Sequence, residues 1–282
     1  MDKGRLLRKL LRFTGRIPTR YKLLYPFWLS AQMDTVVEER SFPGLPPALD
    51  GLVIGYASDI HYGPLLNADR VRDLANRLNA MEADILVLGG DYGEDCATAH
   101  GFFEVLPALH ARLGVWGVIG NHDHMGSRES FTQLFDVMRH HGVQPLFNGA
   151  ATLSVGEASL CLCSTDDIKQ GRPDFGPLLQ PSAAADWTIY LPHSPDLMPV
   201  ATKTAGFRFD MALCGHTHGG QLVVAGRSLH SSSRYGDRYR AGWLQEGGIP
   251  FMVSNGVGCS LLPIRLGTRP QIHRITLRRQ PS

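Results

Sequence analysis

Five short apolar segments of this chain each lead into Asp, Asn or His, and this repeated pattern limits the folds that the chain can adopt. The segments are YASDIHYG (56–63), LVLGGDYG (86–93), GVIGNHDH (117–124), IYLPHSPD (189–196) and LCGHTHGG (213–220). Short apolar runs bounded by glycine, proline or polar residues are typical of buried strands. Because α/β proteins place their sites at the carboxyl ends of strands, we expect these polar residues to meet at one edge of a sheet.

The order of the predicted elements favours an α/β fold. In the first half of the chain, apolar strand patterns alternate with amphipathic helical patterns, and Asn67 is a candidate cap for the first of these helices. Further helices are predicted over 98–112 and 128–141. The second half shows mainly short strand patterns. Strand–helix alternation followed by a strand-rich half predicts a mixed sheet or two sheets.

The last of the five segments contains two histidines close together. His216 and His218 flank a single threonine, with Gly215 before them and Gly219 and Gly220 after them. Glycine accepts backbone angles that other residues avoid, so the segment predicts a tight loop at the end of a strand. Imidazole is the commonest metal ligand in proteins. Taken alone, the pattern fits a metal site or a turn with two solvated histidines.

The residue types at the five strand ends are those that a binuclear metal site needs. Two divalent cations about 3.5–4 Å apart can hold the attacking and leaving oxygens of a phosphoryl displacement. Such a pair needs a bridging carboxylate, imidazoles, a neutral oxygen ligand, and open positions for water and substrate. Cysteine is absent from the polar positions, which excludes a site dominated by thiolates. Mixed nitrogen and oxygen ligands suit Mn²⁺, Zn²⁺ or Fe.

The composition is that of a soluble globular protein, since 43% of the 282 residues are hydrophobic and 19% are charged. The five cysteines are odd in number and form no C-x-x-C pair, which disfavours a disulfide framework and favours a reducing compartment. Residues 1–22 hold eight of the 28 Lys and Arg residues and one of the 26 acidic residues. The rest of the chain is therefore acidic on balance, which disfavours a broad nucleic-acid groove.

The basic N-terminal segment has the pattern of an amphipathic helix. In RLLRKLLRF (5–13), four leucines and a phenylalanine fall on one side of a helical wheel and four basic residues fall on the other. The segment is too charged for a transmembrane helix and lacks the cleavage site of a secretory signal. With the aromatic residues of YPFWLS (25–30), it favours a helix that lies on a membrane surface. A helix docked on the protein body and a basic arm for nucleic acid are the alternatives.

Taken together, the motifs resemble those of the calcineurin-like metallophosphoesterases. The motifs D-x-H, G-D, G-N-H-D, a lone H and G-H-x-H occur here in that family's order over residues 59–218. The wider frame, through GHTHGGQ and SNGVGCSLLPIRL, is similar to a bacterial, membrane-associated branch that includes UDP-2,3-diacylglucosamine pyrophosphatases of lipid A synthesis. The resemblance implies a four-layer α/β/β/α sandwich of two mixed sheets over residues 45–282, preceded by a basic segment over residues 1–44.

The resemblance also implies a role for each motif residue. The first metal ion would be held by Asp59, His61, Asp91 and His218, and the second by Asp91, Asn121, His193 and His216, with Asp91 as the bridge. His122 would face the scissile phosphate, stabilise its developing charge and protonate the leaving oxygen. Asp123 would orient His122, as carboxylates commonly orient imidazoles. We expect two Mn²⁺ ions, with Zn²⁺ or Fe as alternatives.

The function implied is a phosphoesterase that cleaves a phosphodiester or pyrophosphate bond by attack of a metal-bound hydroxide. UDP-2,3-diacylglucosamine is the first candidate substrate, and the cytoplasmic face of the cell membrane is the expected, peripheral location. One alternative is a phosphodiesterase for a nucleotide or another small diester. Another is a membrane-tethered metal-binding module without turnover. Nucleic acid is disfavoured as a partner, and the sequence does not define an oligomeric state.

Several polar residues outside the motifs have no role fixed by the resemblance. We expect the paired acids Asp166 and Asp167 to structure a loop. Arg265 is expected either to face a phosphate or to form a surface salt bridge. His100 and His124 match no motif and are expected to lie at the surface or in loops.

Overall fold

Two six-stranded sheets stack on each other, and helices cover the outer face of each. The computed structural model describes residues 25–63 and 66–280. The helices are α1 (Tyr25–Ser30), α2 (Ala68–Asn79), α3 (Cys96–Val105), α4 (Arg128–His140), α5 (Gly176–Ala184) and α6 (Met198–Ala201). The strands are β1 (Asp34–Phe42), β2 (Val53–Ala57), β3 (Ile85–Leu88), β4 (Val115–Gly117), β5 (Val143–Pro145), β6 (Gly149–Val155), β7 (Ala158–Ser164), β8 (Trp187–Tyr190), β9 (Met211–Cys214), β10 (Val223–Val224), β11 (Arg227–Ser228), β12 (Gly242–Glu246), β13 (Ile249–Val253) and β14 (Gln271–Arg279).

Both sheets are mixed, with a parallel centre that sets the direction of the loops. The first sheet has the order β1-β14-β2-β3-β4-β5, in which β2 to β5 are parallel and β14 is antiparallel to β2. The second has the order β12-β13-β9-β8-β7-β6, in which β13, β9, β8 and β7 are parallel and the two edge strands are antiparallel. The loops after β2, β3 and β4 therefore leave one edge of the first sheet, and those after β8 and β9 leave one edge of the second.

Three apolar layers hold the sheets and helices together. The central layer lies between the sheets and includes Ile54 and Val87 of the first sheet and Ile189 and Leu213 of the second. One outer layer lies between the first sheet and α2, α3 and α4, and the other lies between the second sheet and α5 and α6. This arrangement confirms the predicted four-layer α/β/β/α sandwich.

Helix α2 forms where its cap and its apolar spacing predict it. The side chain of Asn67 accepts a hydrogen bond from the backbone N–H of Arg70, at 3.2 Å. Val71, Leu74 and Leu78 recur every three or four residues and are buried against the first sheet. The sequence pattern therefore accounts for both the start of this helix and its orientation.

Helix α3 is shorter than predicted, and local chemistry explains both of its ends. It begins at Cys96 because Asp95 and Thr98 form a capping box in which each side chain bonds to the other's backbone. It ends at Val105 because Leu106 is extended, as expected of a residue that precedes a proline. The predicted helix over 98–112 is therefore shifted toward the N-terminus and is shorter at its C-terminal end.

The first sheet includes a strand that the sequence prediction had assigned to the segment over residues 1–44. Residues 34–42 form β1, which pairs in parallel with β14 from Asp34 and Gln271 to Phe42 and Arg279. We therefore place the start of the domain before Asp34 rather than at residue 45. The amphipathic helix predicted over 5–13 lies outside the described residues. Among the residues that are described, no helix is both long and apolar enough to cross a membrane.

Candidate metal centre

The predicted site residues lie on loops that leave strands of both sheets. The loops after β2, β3, β4, β8 and β9 carry, in that order, Asp59 and His61; Asp91; Asn121, His122 and Asp123; His193; and His216 and His218. All of these residues are buried except His122, which is half-buried. The sandwich thus brings polar side chains from five separate strand ends into its interior, where their charge and hydrogen-bonding capacity must be matched.

Five of these residues have left-handed backbone. The φ angles are 53° at Asp59, 49° at His61, 54° at Asp91, 73° at His216 and 53° at His218. Left-handed backbone is uncommon for residues that carry a Cβ, and it persists only where the surrounding structure holds it. Its occurrence at five residues from three strand ends in one small volume points to a functional site rather than to ordinary turns.

We call Asp59, His61 and His218, together with Asp91, the first subsite. Ligand atoms of Asp59, His61 and His218 all lie within 4.8 Å of one another. The Nε2 atoms of His61 and His218 are 3.1 Å apart, and Nε2 of His218 is 3.6 Å from Oδ1 of Asp59. Nε2 of His61 is 3.7 Å from Oδ2 of Asp91. These separations are those of atoms that can share one metal ion at about 2.0–2.2 Å.

We call Asp91, Asn121, His193 and His216 the second subsite. Ligand atoms of Asp91, His193 and His216 again lie within 4.8 Å of one another. Nε2 of His193 is 3.2 Å from Oδ2 of Asp91, the same oxygen that approaches His61 of the first subsite. Asp91 therefore stands between the two subsites, as a bridging carboxylate would.

Unpartnered polar atoms in the second subsite fit a metal ion. Oδ1 of Asn121 and Nδ1 of His216 are buried and have no hydrogen-bond partner. Leaving such atoms unpaired costs about 1–3 kcal/mol each, unless a ligand takes them up. One neutral oxygen, two imidazole nitrogens and a shared carboxylate make a donor set that suits Mn²⁺, Zn²⁺ or Fe.

The electrostatics of the centre favour the unprotonated form of three donors, Asp91, His216 and His218. Burial lowers the pKa of His216 and His218 well below the usual value for histidine, so both offer a lone pair. Burial would raise the pKa of Asp91, but the charge and hydrogen bond of His193 hold it well below its usual range. The same contact outweighs burial at His193 and raises its pKa to about 10. A metal ion at His193 therefore has to displace a proton.

Backbone carbonyls select the tautomers of two imidazoles. Nδ1 of His193 lies 2.7 Å from the carbonyl oxygen of Gly89, and Nδ1 of His122 lies 3.2 Å from that of Glu94. Because a carbonyl oxygen can only accept, both Nδ1 atoms carry the proton. Nε2 of His193 is then free to bind a metal ion, and Nε2 of His122 is free to exchange a proton with a substrate.

Asp123 bonds to backbone amides rather than to the ring of His122, so the prediction that it orients this ring directly is wrong. Its carboxylate accepts hydrogen bonds from the backbone N–H groups of Asp91 at 2.8 Å, Tyr92 at 2.9 Å and Gly120 at 2.9 Å. Burial, with the nearby charge of Asp91, raises the pKa of Asp123 to about 7. Asp123 thus ties the loop after β4 to the loop after β3 and holds the backbone of Asp91.

Glu94 is the carboxylate that lies beside His122, and no motif in the sequence identifies it. One of its oxygens is 3.0 Å from Nδ1 of His61, and the other is 3.7 Å from Nδ1 of His122. The rings of His61 and His122 meet edge to face, with centroids 4.7 Å apart. The signal that could have found Glu94 is its position three residues after Asp91, in the same loop.

The structure shows the surroundings of three basic residues outside the motifs. Arg265 is fully buried and donates to backbone carbonyls, so it forms neither a phosphate contact nor a surface salt bridge. His124 lies in the loop after β4, one of the two expected locations, and is half-buried, with Nε2 2.6 Å from Asp166 and its ring stacked on Phe131. His100 is also half-buried, with Nε2 3.0 Å from the carbonyl oxygen of Ser130.

The paired acids structure a loop, as expected, and that loop brings a cation close to the centre. The carboxylate of Asp166 accepts hydrogen bonds from the backbone of Asp167, and Asp167 accepts one from the backbone of Lys169. Nζ of Lys169 donates to the carbonyl oxygen of Ser232 at 2.6 Å, and Nε2 of His216 lies 3.3 Å from the same oxygen. The ammonium group of Lys169 therefore flanks the second subsite.

An apolar cleft of about 200 Å³ opens beside His218. Its lining includes Leu222, Leu261, Leu262 and Ser232. Leu261 is 63% exposed and Leu262 is 45% exposed, and Leu261 has left-handed backbone with φ of 62°. Large apolar side chains that line a concave surface next to polar groups are typical of ligand-binding sites.

Comparisons with known proteins point to one family. The family model for calcineurin-like phosphoesterases matches residues 52–220. The uncharacterized metallophosphoesterase YkuE of Bacillus subtilis is 30% identical over 238 residues, which cover 83% of this chain and 82% of the relative. The transmembrane protein with metallophosphoesterase domain of Bos taurus is 29% identical over 84% of this chain and 55% of the relative. The phosphodiesterase YaeI of Escherichia coli is 27% identical over 79% of this chain and 80% of the relative.

Proposed function

Because the chain belongs to the calcineurin-like phosphoesterase family, and is therefore a metal-dependent phosphoester hydrolase, we propose that it cleaves a phosphodiester or pyrophosphate bond in a substrate that carries an apolar chain. UDP-2,3-diacylglucosamine is the first candidate, because the sequence resembles the branch that includes its pyrophosphatases. The apolar cleft beside His218 is the observation that carries this proposal.

The metal ions would be held by the two subsites, with Asp91 shared between them. The first ion would bind Asp59, His61, Asp91 and His218, and the second would bind Asp91, Asn121, His193 and His216. Such ions, when bound, activate water and polarise the phosphoryl oxygens. We expect Mn²⁺, with Zn²⁺ or Fe as alternatives, since the donors are nitrogen and oxygen.

His122 would act on the substrate rather than on the metal ions. Its Nδ1 proton is held by the carbonyl oxygen of Glu94, so Nε2 is the atom that can give a proton to the leaving oxygen. The carboxylate of Glu94 would stabilise the charged ring, since it lies 3.7 Å from Nδ1. Half-burial of His122, in contrast to the buried ligands, fits a residue that has to meet the substrate.

The cleft gives the rest of the substrate a defined direction. A phosphorus atom placed at the metal centre lies next to His218, from which the cleft leads out past Leu261 and Leu262. An alkyl chain in this cleft would remove apolar surface from water, at about 0.8 kcal/mol for each buried CH₂ group. On the other side, the ammonium group of Lys169 is placed to balance the negative charge of a phosphate or pyrophosphate.

A phosphodiesterase for a nucleotide or another small diester is the second candidate. The relative from Escherichia coli is named a phosphodiesterase, and it aligns over 79% of this chain. A small diester would use the same subsites, His122 and Lys169 without filling the apolar cleft. The two candidates therefore differ in whether the leucines of the cleft contribute to substrate binding.

A substrate panel on the purified full-length chain tests the proposal. With Mn²⁺ added, UMP release from UDP-2,3-diacylglucosamine would be measured beside hydrolysis of cyclic nucleotides and of bis(4-nitrophenyl) phosphate. We expect the lipid to have the highest kcat/KM. If the lipid is untouched while a soluble diester turns over rapidly, the second candidate replaces the first.

Variants of the cleft separate the two candidates further. The double change Leu261→Ser and Leu262→Ser should raise KM for the lipid and leave kcat/KM for bis(4-nitrophenyl) phosphate unchanged. Val37→Ser, an exposed apolar position on β1, is the matched control. Equal losses of kcat/KM on both substrates would show that the two leucines stabilise the fold rather than bind the apolar chain of the lipid.

We also propose a peripheral location on the cytoplasmic face of the membrane, which rests on the sequence pattern over residues 5–13. Each Lys or Arg near an anionic leaflet contributes about 1 kcal/mol of attraction. Full-length protein should co-sediment with anionic liposomes at low salt and be released at high salt. Failure to sediment with anionic liposomes at low salt would rule out this location.

A further inference from the structure

Arg265 is a buried cation that the catalytic assignment does not use. Its side chain is 0% exposed, although arginine is almost never fully buried without a partner. Its guanidinium donates to the carbonyl oxygens of His218 at 3.0 Å, Asn255 at 2.8 Å and Gly258 at 2.6 Å, and more weakly to that of Gly256 at 3.3 Å. Four carbonyl groups from two separate loops thus converge on one side chain.

The partners of this cation are dipoles rather than a counter-ion. Among residues 25–63 and 66–280, no carboxylate forms an ion pair with Arg265; its Nε donates to the carbonyl oxygen of Gly258 at 3.2 Å, and the Cys259 thiol lies beside the guanidinium. A buried charge without a carboxylate partner is costly unless its N–H groups are satisfied. The planar fork of five N–H donors allows arginine to bind several carbonyl oxygens at fixed angles. The arrangement is therefore specific for arginine.

One of the two loops packs directly on Asp59. The backbone N–H of Val257 donates to the carbonyl oxygen of Ser58 at 2.9 Å, and that of Gly258 donates to the carbonyl oxygen of Asp59 at 2.7 Å. A Cβ at Gly256 would lie only 2.6 Å from Cβ of Asp59. The 254–258 loop therefore forms the wall against which the Asp59 side chain is placed.

The other loop is a strained turn that begins at His218. Four consecutive residues have positive φ: 53° at His218, 62° at Gly219, 81° at Gly220 and 48° at Gln221. Two of them are not glycine, so the turn has to be held by contacts from outside. The bond from Arg265 to the carbonyl oxygen of His218 is such a contact, and it lies at the first residue of the turn.

We propose that Arg265 is a positioning residue for the first subsite, in which it fixes the imidazole of His218 against the carboxylate of Asp59. It does so by joining the turn that begins at His218 to the 254–258 loop. The second subsite has its own support, since Nδ1 of His193 bonds to the carbonyl oxygen of Gly89. The inference rests on the two-metal centre described under the proposed function.

Titration of the apo protein with Mn²⁺ tests this role without relying on activity. In Arg265→Lys the ammonium group keeps the charge but loses the planar fork. We expect Mn²⁺ affinity at the first subsite to fall roughly 10–100-fold, as is usual when a group that orients a metal ligand is lost. The second subsite should keep its affinity. Electron paramagnetic resonance should then show a lone Mn²⁺ signal at two equivalents, where the wild type shows a coupled pair.

Reference variants identify the subsite that is affected. His218→Ala and His193→Ala remove a ligand from the first and the second subsite, and Arg265→Lys should resemble the former. Arg274→Lys is the matched control, because Arg274 lies on β14 and donates to the carbonyl oxygen of Met81, away from both subsites. Activity of Arg265→Lys should be low at limiting Mn²⁺, with kcat restored by excess Mn²⁺.

The possible results are distinguishable. If Arg265→Lys weakens Mn²⁺ binding equally at both subsites, or at neither, the positioning role is overturned. If Arg265→Lys does not fold, Arg265→Gln, which keeps two planar N–H donors without the charge, is used with the same expectation. A wild-type chain that binds fewer than two Mn²⁺ ions would overturn the proposed metal centre itself.

Discussion

Both subsites use carboxylate and imidazole side chains, but they are held in place by different parts of the chain. In the second subsite, His193 is fixed by the carbonyl oxygen of Gly89, and the backbone of Asp91 is fixed by Asp123. Both supporting groups lie within a few residues of a strand-end motif. In the first subsite, the loop of His218 is fixed by Arg265, which lies 47 residues further along the chain.

This difference shows that the strained backbone of the two subsites is held by two different kinds of contact. Asp91 and its amide partners form a compact unit at the ends of β3 and β4, so the second subsite is held by groups that belong to the strand-end segments themselves. The first subsite depends on a contact to Arg265, a residue outside those segments, and this contact forms only when the C-terminal part of the chain has packed. We therefore expect the two subsites to respond differently when single residues are changed.

Removal of Asp91 should cause the largest loss, because it eliminates the group that links the subsites. We expect Asp91→Ala to lose both metal ions and nearly all phosphodiesterase activity. Metal content after gel filtration in Mn²⁺ measures this directly. Asp73→Ala, an exposed carboxylate on α2, is the control. An unchanged content of two ions in Asp91→Ala would mean that Asp91 is not the bridge.

Removal of His122 should separate chemistry from metal binding in both subsites. His122→Asn should keep two ions and lose roughly 10²–10⁴-fold in kcat, which is the usual contribution of a general acid. Steady-state kinetics and metal analysis on the same preparation provide the two values. Loss of metal in this variant, or full activity with metal retained, would contradict the assigned role.

Metal binding should release protons, and the groups that hold these protons differ between the two subsites. The pKa of His193 is raised to about 10 by Asp91, and the pKa of His61 is raised above its usual value because the bond to Glu94 and nearby carboxylates outweigh burial. Each ring is protonated below its raised pKa, so metal affinity should fall as pH falls, about tenfold per pH unit for each proton displaced.

Calorimetry in buffers of different ionisation enthalpy measures this release. Glu94→Gln should reduce the proton release from the first subsite and leave that from the second unchanged. Metal binding without proton release at pH 7 would contradict the protonation of His193.

The smallest effect is expected at a contact between the sheets that lies outside both subsites. Burial would lower the pKa of His124, but the bond to Asp166 raises it above the usual value. The pair therefore stabilises the fold fully below the pKa that His124 has in the unfolded chain. This contribution is lost as pH rises through the higher pKa of the folded protein.

His124→Asn should lower Tm by about 2–4 °C at pH 6, for a loss of about 1 kcal/mol, and by less at pH 9. The exposed His140→Asn is the control, and an equal loss at both pH values would contradict the pairing.

The sequence predicted the parts of the molecule whose signal is local. The apolar strands, the cap of α2 and the polar strand ends are all encoded within a few residues, and the strand ends do come together. Strand β1 was missed because Glu38, Glu39 and Arg40 hide its alternation, as charged residues often do on edge strands.

The remaining errors concern groups whose partners are distant or depend on side-chain direction. Arg265 stands in an ordinary PIRL segment, and nothing in that segment shows that four carbonyl groups surround it. Asp123 follows His122 directly, yet its carboxylate points to backbone amides and leaves Glu94 beside the ring. Contacts of this kind follow from the packing of loops, which local patterns do not specify.

A crystal structure with Mn²⁺, in which anomalous scattering locates the ions, tests the central claim most directly. We predict two anomalous peaks about 3.5–4 Å apart, with Asp91 between them. His61 and His218 should bind one ion, and His193 and His216 should bind the other. A single peak, or two peaks that do not share Asp91, would contradict the binuclear centre.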